Sequence, residues 1–114
     1  MKNNNLAVVE ILRTDGRREE HHVGRHIILD WIHRMIGAAL TDTVNLHDGR
    51  VMIVNDRGYE TKEVHGPGFL RLEPIKALLP VNEQATAIYH SLCQSGTTHQ
   101  IVGDVAIAWD KDFE

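Results

Sequence analysis

Alternating apolar residues predict a hairpin at the start of the chain. Leu6–Leu12 is rich in β-branched residues, and Asp15-Gly16 is a dipeptide favoured in two-residue turns. We therefore expect Arg17–Val23 to return antiparallel to the first segment. A two-residue loop places Glu10 opposite His21.

Between Arg25 and Ile36 the apolar residues recur at helical spacing. Gly37 is suited to the left-handed conformation that ends many helices. The segment predicts a first amphipathic helix. Its buried face should consist of Ile28, Trp31, Ile32, Met35 and Ile36.

A second turn signal, Asp48-Gly49, separates the segments Thr41–His47 and Arg50–Asn55. A two-residue loop places Leu46 opposite Val51 and Val44 opposite Ile53, all on one face of a half-buried hairpin.

The region after this hairpin is less regular. His65-Gly66-Pro67-Gly68 predicts a break, and Phe69–Leu72 predicts a short edge strand that Pro74 closes.

A second helix is predicted to begin after Asn82, a favourable N-cap residue, and to end at Gly96. The pattern of His99–Trp109 then predicts a strand with Ile101, Val105, Ile107 and Trp109 on one face. The apolar stripe of the helix consists of Ala85, Ile88, Tyr89 and Leu92.

This order of elements, β-β-α-β-β, a weak strand, then α-β, predicts one α+β domain over residues 1–114. We expect a mostly antiparallel sheet with two helices on one face. Residues 1–5 and 110–114 are predicted to be flexible ends.

Composition narrows the classes of protein that fit. The chain has 114 residues, of which 42% are apolar and 25% charged, as in ordered globular domains. The net charge is −4 and the basic residues are scattered, which disfavours nucleic-acid binding. No signal peptide or bilayer-spanning apolar run is evident, so we expect a cytoplasmic protein without membrane contact.

Two strings in the second half of the chain carry a resemblance to a known family. They are Leu79–His90, followed by Gly96–Val105, and the hairpin Asp42–Leu46 with Asp48–Val51. The chain resembles a small uncharacterised family of phage and plasmid proteins over about its last three-quarters. The resemblance implies an accessory protein of a mobile genetic element, but it implies no activity and no site residue.

Polar side chains between the second helix and the last strand form the main candidate for a binding site. If that strand packs beside the helix, the turn between them could hold a shallow polar pocket. Hydrogen bonds that only stabilise the turn explain the same residues. The candidate ligand-binding residues are Tyr89, His90, Thr97, Thr98, His99, Gln100 and Asp104.

Metal and nucleophile chemistry are less favoured. His21 and His22 are adjacent on a strand and should point to opposite faces, so they do not converge on one ion. Cys93 could pair with His99 and Asp104 as a nucleophile, but its place beside the helix stripe indicates a small buried side chain. We expect no catalytic residue, no metal and no cofactor.

The sequence therefore predicts a non-enzymatic protein that acts by binding. The partner is expected to be a host protein, such as a defence component, or a second copy in a homodimer. The alternative is a protein that binds a small polar, nucleotide-like ligand near Tyr89, His90 and His99.

Overall fold

The computed structural model describes residues 5–93 and 99–113, with only the backbone of Pro74 and Ile75. This part contains seven strands and two α-helices. They are β1 (Leu6–Leu12), β2 (Arg18–Gly24), α1 (Ile28–Ile36), β3 (Thr41–Asn45), β4 (Arg50–Asn55), β5 (Tyr59–Gly66), β6 (Phe69–Ala77), α2 (Glu83–Leu92) and β7 (Val105–Trp109).

Five strands form the main antiparallel sheet in the order β2-β1-β7-β4-β3. The last strand, β7, lies at the centre, between β1 and β4. Strands β5 and β6 form a separate two-stranded antiparallel sheet. The α+β class of a single domain, with two helices and mostly antiparallel strands, is thus confirmed.

The helices lie on opposite faces of the main sheet, so the prediction that they share one face was wrong. On β4, Val51 and Ile53 belong to the core cluster that includes α1, whereas Met52 belongs to the cluster that includes α2. Successive strand residues point to opposite faces, so the two clusters lie on opposite sides. Both faces of the central strands are apolar, and a different helix packs against each face.

Helix α1 matches its predicted bounds and face closely. Ile28, Ile32 and Ile36 are buried, while Trp31 and Met35 pack against the same cluster. A 3₁₀ turn at Arg25–Ile27 precedes the helix, and Gly37 ends it with φ of 68°.

Both predicted hairpin registers were wrong by one residue. Glu10 pairs with Glu20 instead of His21, and Val44 pairs with Met52 instead of Ile53. In each case the loop has three residues. Arg13 donates its N–H to Arg17 O at 2.9 Å around the first loop, in which Gly16 has φ of 94°.

The second loop repeats this geometry. Leu46 N–H donates to Arg50 O at 3.0 Å, and Gly49 has φ of 92°. A three-residue loop that ends in a left-handed residue is the next common hairpin turn after the two-residue forms. Because the register shifts by one, Val44 and Leu46 share a face with Met52, in the cluster that α2 covers.

The region predicted to be irregular is a long hairpin. Tyr59–Gly66 was not predicted as a strand, and Phe69 begins a strand that continues to Ala77, past the predicted stop at Pro74. The register slips between Glu60 and Thr61, where the strand accommodates an irregularity.

Helix α2 begins as predicted at Asn82, whose side chain accepts from Ala85 N at 3.1 Å. The same amide group donates to Leu12 O and to Gly103 O, each at 2.9 Å. Asn82 is completely buried. It therefore connects the helix start to β1 and to the segment before β7.

The predicted long strand His99–Trp109 is mostly not a strand. β7 spans only Val105–Trp109, and Val102 forms an isolated bridge with Val81. Asp110–Phe113 forms a 3₁₀ helix in which buried Asp112 accepts from Arg25 Nε at 2.9 Å. The predicted helix end at Gly96 lies outside the described residues. Within the described part, neither helix is long and apolar enough to cross a membrane.

Candidate functional site

A cavity of about 150 Å³ lies where the end of the main sheet meets the base of the β5–β6 hairpin. It is half open to solvent, and we call it the acidic cavity. The strand residue Val54 and the buried residues Ile101 and Val102 supply apolar lining. The remaining lining residues are Asp42, Asn55, Asp56, Tyr59, His99 and Gln100.

Aromatic rings cluster beside this cavity. The ring centroid of His99 lies 5.7 Å from that of Tyr59 and 5.9 Å from that of Tyr89. The centroids of Tyr89 and His90 are 5.8 Å apart. Four rings from β5, α2 and the segment before β7 therefore meet at one place.

Two hydrogen bonds to the backbone hold this arrangement. The Tyr59 hydroxyl donates to Gln100 O at 2.5 Å, and His90 Nε2 lies 2.7 Å from His99 O. Partial burial raises the pKa of Tyr59 above its usual value, a direction that favours the neutral phenol which donates this hydrogen bond. These contacts join the base of the hairpin and α2 to the same segment.

The predicted ligand-binding residues are only partly brought together. Tyr89, His90 and His99 are neighbours, and Gln100 lines the acidic cavity with His99. Thr97 and Thr98 lie outside the described residues. The predicted site and the acidic cavity thus share His99 and Gln100.

Asp104, also predicted as a ligand-binding residue, lies in a structural ion-pair cluster instead. One of its oxygens accepts from Arg13 Nη1 at 3.0 Å and the other from Thr14 N at 2.9 Å. Arg13 also donates to Met35 O at 2.7 Å and forms an ion pair with Glu19 at 2.9 Å. Asp104 thus connects the β1–β2 loop to the start of β7 by hydrogen bonds. This role explains why a carboxylate stands among the apolar residues from Ile101 to Trp109.

Of the nine residues that line the cavity, only His99 and Gln100 were predicted from the sequence, and the two carboxylates are among those that were not. Asp42 lies on β3 and Asp56 lies in the turn after β4, so neither is near the predicted residues along the chain. Only the pairing of β3 with β4 brings both carboxylates to one end of the sheet. No local sequence signal could have identified this pair.

The metal and nucleophile candidates from the sequence, His21, His22 and Cys93, make other contacts. His21 stacks edge-on against Trp31 at 5.1 Å, whereas His22, next to it on β2, lies 3.6 Å from Glu20. Cys93 is half-buried, and its sulfur lies 3.5 Å from Asn45 O. Among residues 5–93 and 99–113, no three His, Cys, Asp or Glu side chains are placed to hold a metal ion.

A second candidate site is the outer part of the β5–β6 hairpin. Three large apolar side chains are at least half exposed there: Phe69 at 50%, Leu70 at 59% and Leu72 at 64%. We call these three residues the hairpin surface. Leu70 and Leu72 share one face of the hairpin, while Phe69 lies on the other, with the Arg71 guanidinium carbon 5.6 Å from its ring centroid.

Comparison of the chain with protein-family models, with curated proteins and with solved structures gave no match. The acidic cavity and the hairpin surface are therefore interpreted from their own geometry.

Proposed function

We propose that this chain is a non-enzymatic protein that binds a partner protein through the hairpin surface. The single observation that carries the proposal is the exposure of Phe69, Leu70 and Leu72 on a hairpin outside the main sheet. Leu70 and Leu72 lie next to each other on one face of the hairpin, and adjacent apolar side chains left in water are a feature of interaction sites in folded proteins.

The stability of the hairpin supports the same proposal. In the described part of the chain, β5 and β6 pack mainly on each other, and most of their side chains are exposed. An isolated two-stranded hairpin is marginally stable in water, and a further strand or a packed surface stabilises it. A bound partner would supply that surface.

Charge favours a protein over a nucleic acid as this partner. The hairpin carries as many acidic as basic side chains, and they alternate along both strands. They are Glu60, Lys62, Glu63, Arg71, Glu73 and Lys76. A nucleic-acid backbone attracts a surface with a clear excess of positive charge, and such an excess is lacking here.

We further propose, from the sequence resemblance alone, that the chain is an accessory protein of a phage or plasmid. In that setting the partner is a host protein in the cytoplasm, such as a defence component, or a second copy of the chain. An apolar groove or an open sheet edge on the partner would match the apolar face of Leu70 and Leu72.

A native mass spectrum of the protein purified gently from its host background tests the proposal. We expect a bound protein mass with the wild type and its loss in the double variant Leu70→Ser/Leu72→Ser. Leu29→Ser is the matched control, because Leu29 is an exposed leucine, at 47%, on α1. The control should retain the bound mass.

A bound mass equal to the chain itself would identify a homodimer, and any other protein mass would identify a different partner. A bare monomer in all three samples, or equal binding by the double variant, would contradict the proposal.

A second candidate function is the binding of a small polar ligand in the acidic cavity. The observation that favours it is the meeting of the Tyr59, Tyr89 and His99 rings beside a half-open cavity. In the same mass spectrum, a small excess mass that disappears on denaturation would support this function.

A further inference from the structure

Four strands have one side without a paired strand in the described part of the chain: β2 and β3 of the main sheet, and β5 and β6 of the hairpin. Another strand can add to the backbone of such an edge, and charged side chains discourage this addition. The exposed side chains of β2, β3 and β5 are polar. Within the described residues, β6 is the edge strand with large exposed apolar side chains, those of the hairpin surface.

The turn of the hairpin determines which backbone groups of β6 point outward. The two-residue loop is Pro67-Gly68, in which Gly68 has φ of 77°. This combination is typical of a type II turn, whose flanking residues share a hydrogen bond. From that pair, which includes Phe69, hydrogen-bonded and non-hydrogen-bonded pairs alternate along the strands. The N–H and C=O groups of Leu70 and Leu72 therefore point away from β5.

The charges of β6 select one way in which two copies of this strand can pair. When a two-fold axis relates two antiparallel strands, one residue lies opposite its own copy. An axis at Arg71 or Glu73 places like charges opposite each other, which is destabilising. An axis at Leu70 pairs little more than the tip, because the strand begins at Phe69. An axis at Leu72 places Arg71 of each copy opposite Glu73 of the other.

We propose that the partner of the hairpin surface is a second copy of this chain, joined by antiparallel pairing of the two β6 strands about a two-fold axis at Leu72. The inference rests on the proposed function and names its partner. The two Leu72 residues exchange a pair of backbone hydrogen bonds, and each Leu70 N–H donates to Pro74 O of the other copy. Pro74, which has no N–H, needs only its carbonyl for this bond.

The side chains fit the same arrangement. Arg71 and Glu73 form an ion pair at 2.6 Å within one strand, and their side chains remain 61% and 36% exposed. In the dimer each of them also meets the opposite charge of the other copy. On the opposite face, Leu70 and Leu72 of both copies form one apolar strip. The marginally stable two-stranded hairpin becomes half of a four-stranded sheet.

Charge reversal tests this register in the full chain. Sedimentation velocity over about 1–300 µM should show a dimer of the wild type with a Kd on the order of 10 µM, as for a small interface. Arg71→Glu and Glu73→Arg each place like charges opposite each other on both sides of the axis. Each variant alone should dimerise at least about tenfold more weakly.

Mixing the two variants provides the rescue. In an equimolar mixture, Arg71→Glu chains meet Glu73→Arg chains with opposite charges facing each other again. A heterodimer should form with a Kd within about threefold of the wild-type value. Urea midpoints of both variants, measured on dilute protein, should stay near that of the wild type, which separates lost pairing from lost folding.

Glu63→Arg is the matched control. Glu63 is 64% exposed on β5, opposite Leu72 within the hairpin, and its reversal changes the net charge by the same amount as Glu73→Arg. The control should dimerise as the wild type does, because β5 lies on the side of the hairpin away from the axis.

A wild type that stays monomeric over this range, a dimer unaffected by either reversal, a mixture that does not associate, or equal loss in the control would overturn the inference. A different protein mass bound through Leu70 and Leu72 in the native mass spectrum would overturn it while the proposed function stands. A dimer that persists unchanged in Leu70→Ser/Leu72→Ser would overturn both.

Discussion

The five-stranded sheet and the β5–β6 hairpin are built from the same kinds of residue but use them in opposite ways. In the sheet, Ile11, Leu12 and Met52 are completely buried between two helices. In the hairpin, Leu70 and Leu72 are mostly exposed. Burial of a leucine-sized side chain contributes roughly 1.5–3 kcal/mol, so the sheet and not the hairpin stabilises the fold.

Polar groups show the same contrast. We call the main sheet with its two helices the body. Arg13, Asp104 and Asn82 connect separate elements of the body through half-buried or buried hydrogen bonds. The ion pairs of the hairpin join residues two apart on one strand, as Arg71 does with Glu73 at 2.6 Å. Exposed pairs of this kind contribute little to stability. A body stabilised by its own contacts can carry an element whose surface is left for a partner.

The largest expected effect comes from the body core. Ile32→Ala should lower the free energy of unfolding by about 3.5 kcal/mol, because it leaves a cavity at a completely buried position on the sheet-facing side of α1. Leu72→Ala, the matched change on the hairpin, should stay within about 0.5 kcal/mol of the wild type. Urea unfolding measures both values, and equal losses would contradict the contrast.

The next effect comes from Asn82. Asn82→Ala should cost about 2.5 kcal/mol, since it removes the helix cap and leaves Leu12 O and Gly103 O without their donor. Asn82→Asp retains an acceptor for Ala85 N but cannot donate when ionised, so it should also be destabilised. Urea midpoints measure these losses. Asn45→Ala, at the exposed end of β3, is the control, and a loss there as large as at Asn82 would refute the special role of the buried amide.

The ion pair of Arg13 gives the body a pH dependence. Hydrogen bonds from Arg13 first, and from His21 second, lower the pKa of Glu19 to about 2 from 4.5. The resulting stabilisation is complete above pH 4.5 and is lost as the pH falls from there through 2.

Arg13→Gln should therefore lose less stability than the wild type between about pH 6 and pH 3, because part of the acid-sensitive contribution is already absent. Urea unfolding at the two pH values measures the difference. Arg57→Gln is the control, since Arg57 is exposed and forms no ion pair within the described residues. A loss in Arg13→Gln as steep as in the wild type would contradict this explanation.

The smallest effect on stability should come from shortening the hairpin. Replacing Lys62–Glu73 with Asn-Gly keeps the pair Thr61 and Pro74 and removes the hairpin surface. The free energy of unfolding of the body should change by less than about 1 kcal/mol. Calorimetry and urea unfolding measure it, and loss of cooperative unfolding would show that the body depends on the hairpin.

The sequence predicted what local spacing determines. The amphipathic period of α1 and the cap residue Asn82 are local signals. Helix α2 begins at the predicted cap, and α1 begins three residues after Arg25, following a 3₁₀ turn. The two Asp-Gly turns were located correctly. Their loop length was not, because Asp-Gly occurs in three-residue loops as well as in two-residue ones, and one extra residue shifts every pair.

What the sequence could not predict depends on tertiary contacts. β5 has few apolar residues and no alternation that a buried strand requires, so only its pairing with β6 identifies it as a strand. The helix faces were misassigned because alternation in β4 and β7 is masked by apolar residues on both sides. Likewise, Asp42 and Asp56 meet only after β3 and β4 have paired.

Hydrogen exchange of the free protein, followed amide by amide, tests most directly whether a stable body carries a hairpin left for a partner. Amides of β1, β4 and β7 should exchange only through global unfolding, and those of Lys62–Glu73 should exchange through local opening at a much lower free energy. Hairpin amides as protected as those of β7 would contradict the account, because the hairpin would then belong to the stable core.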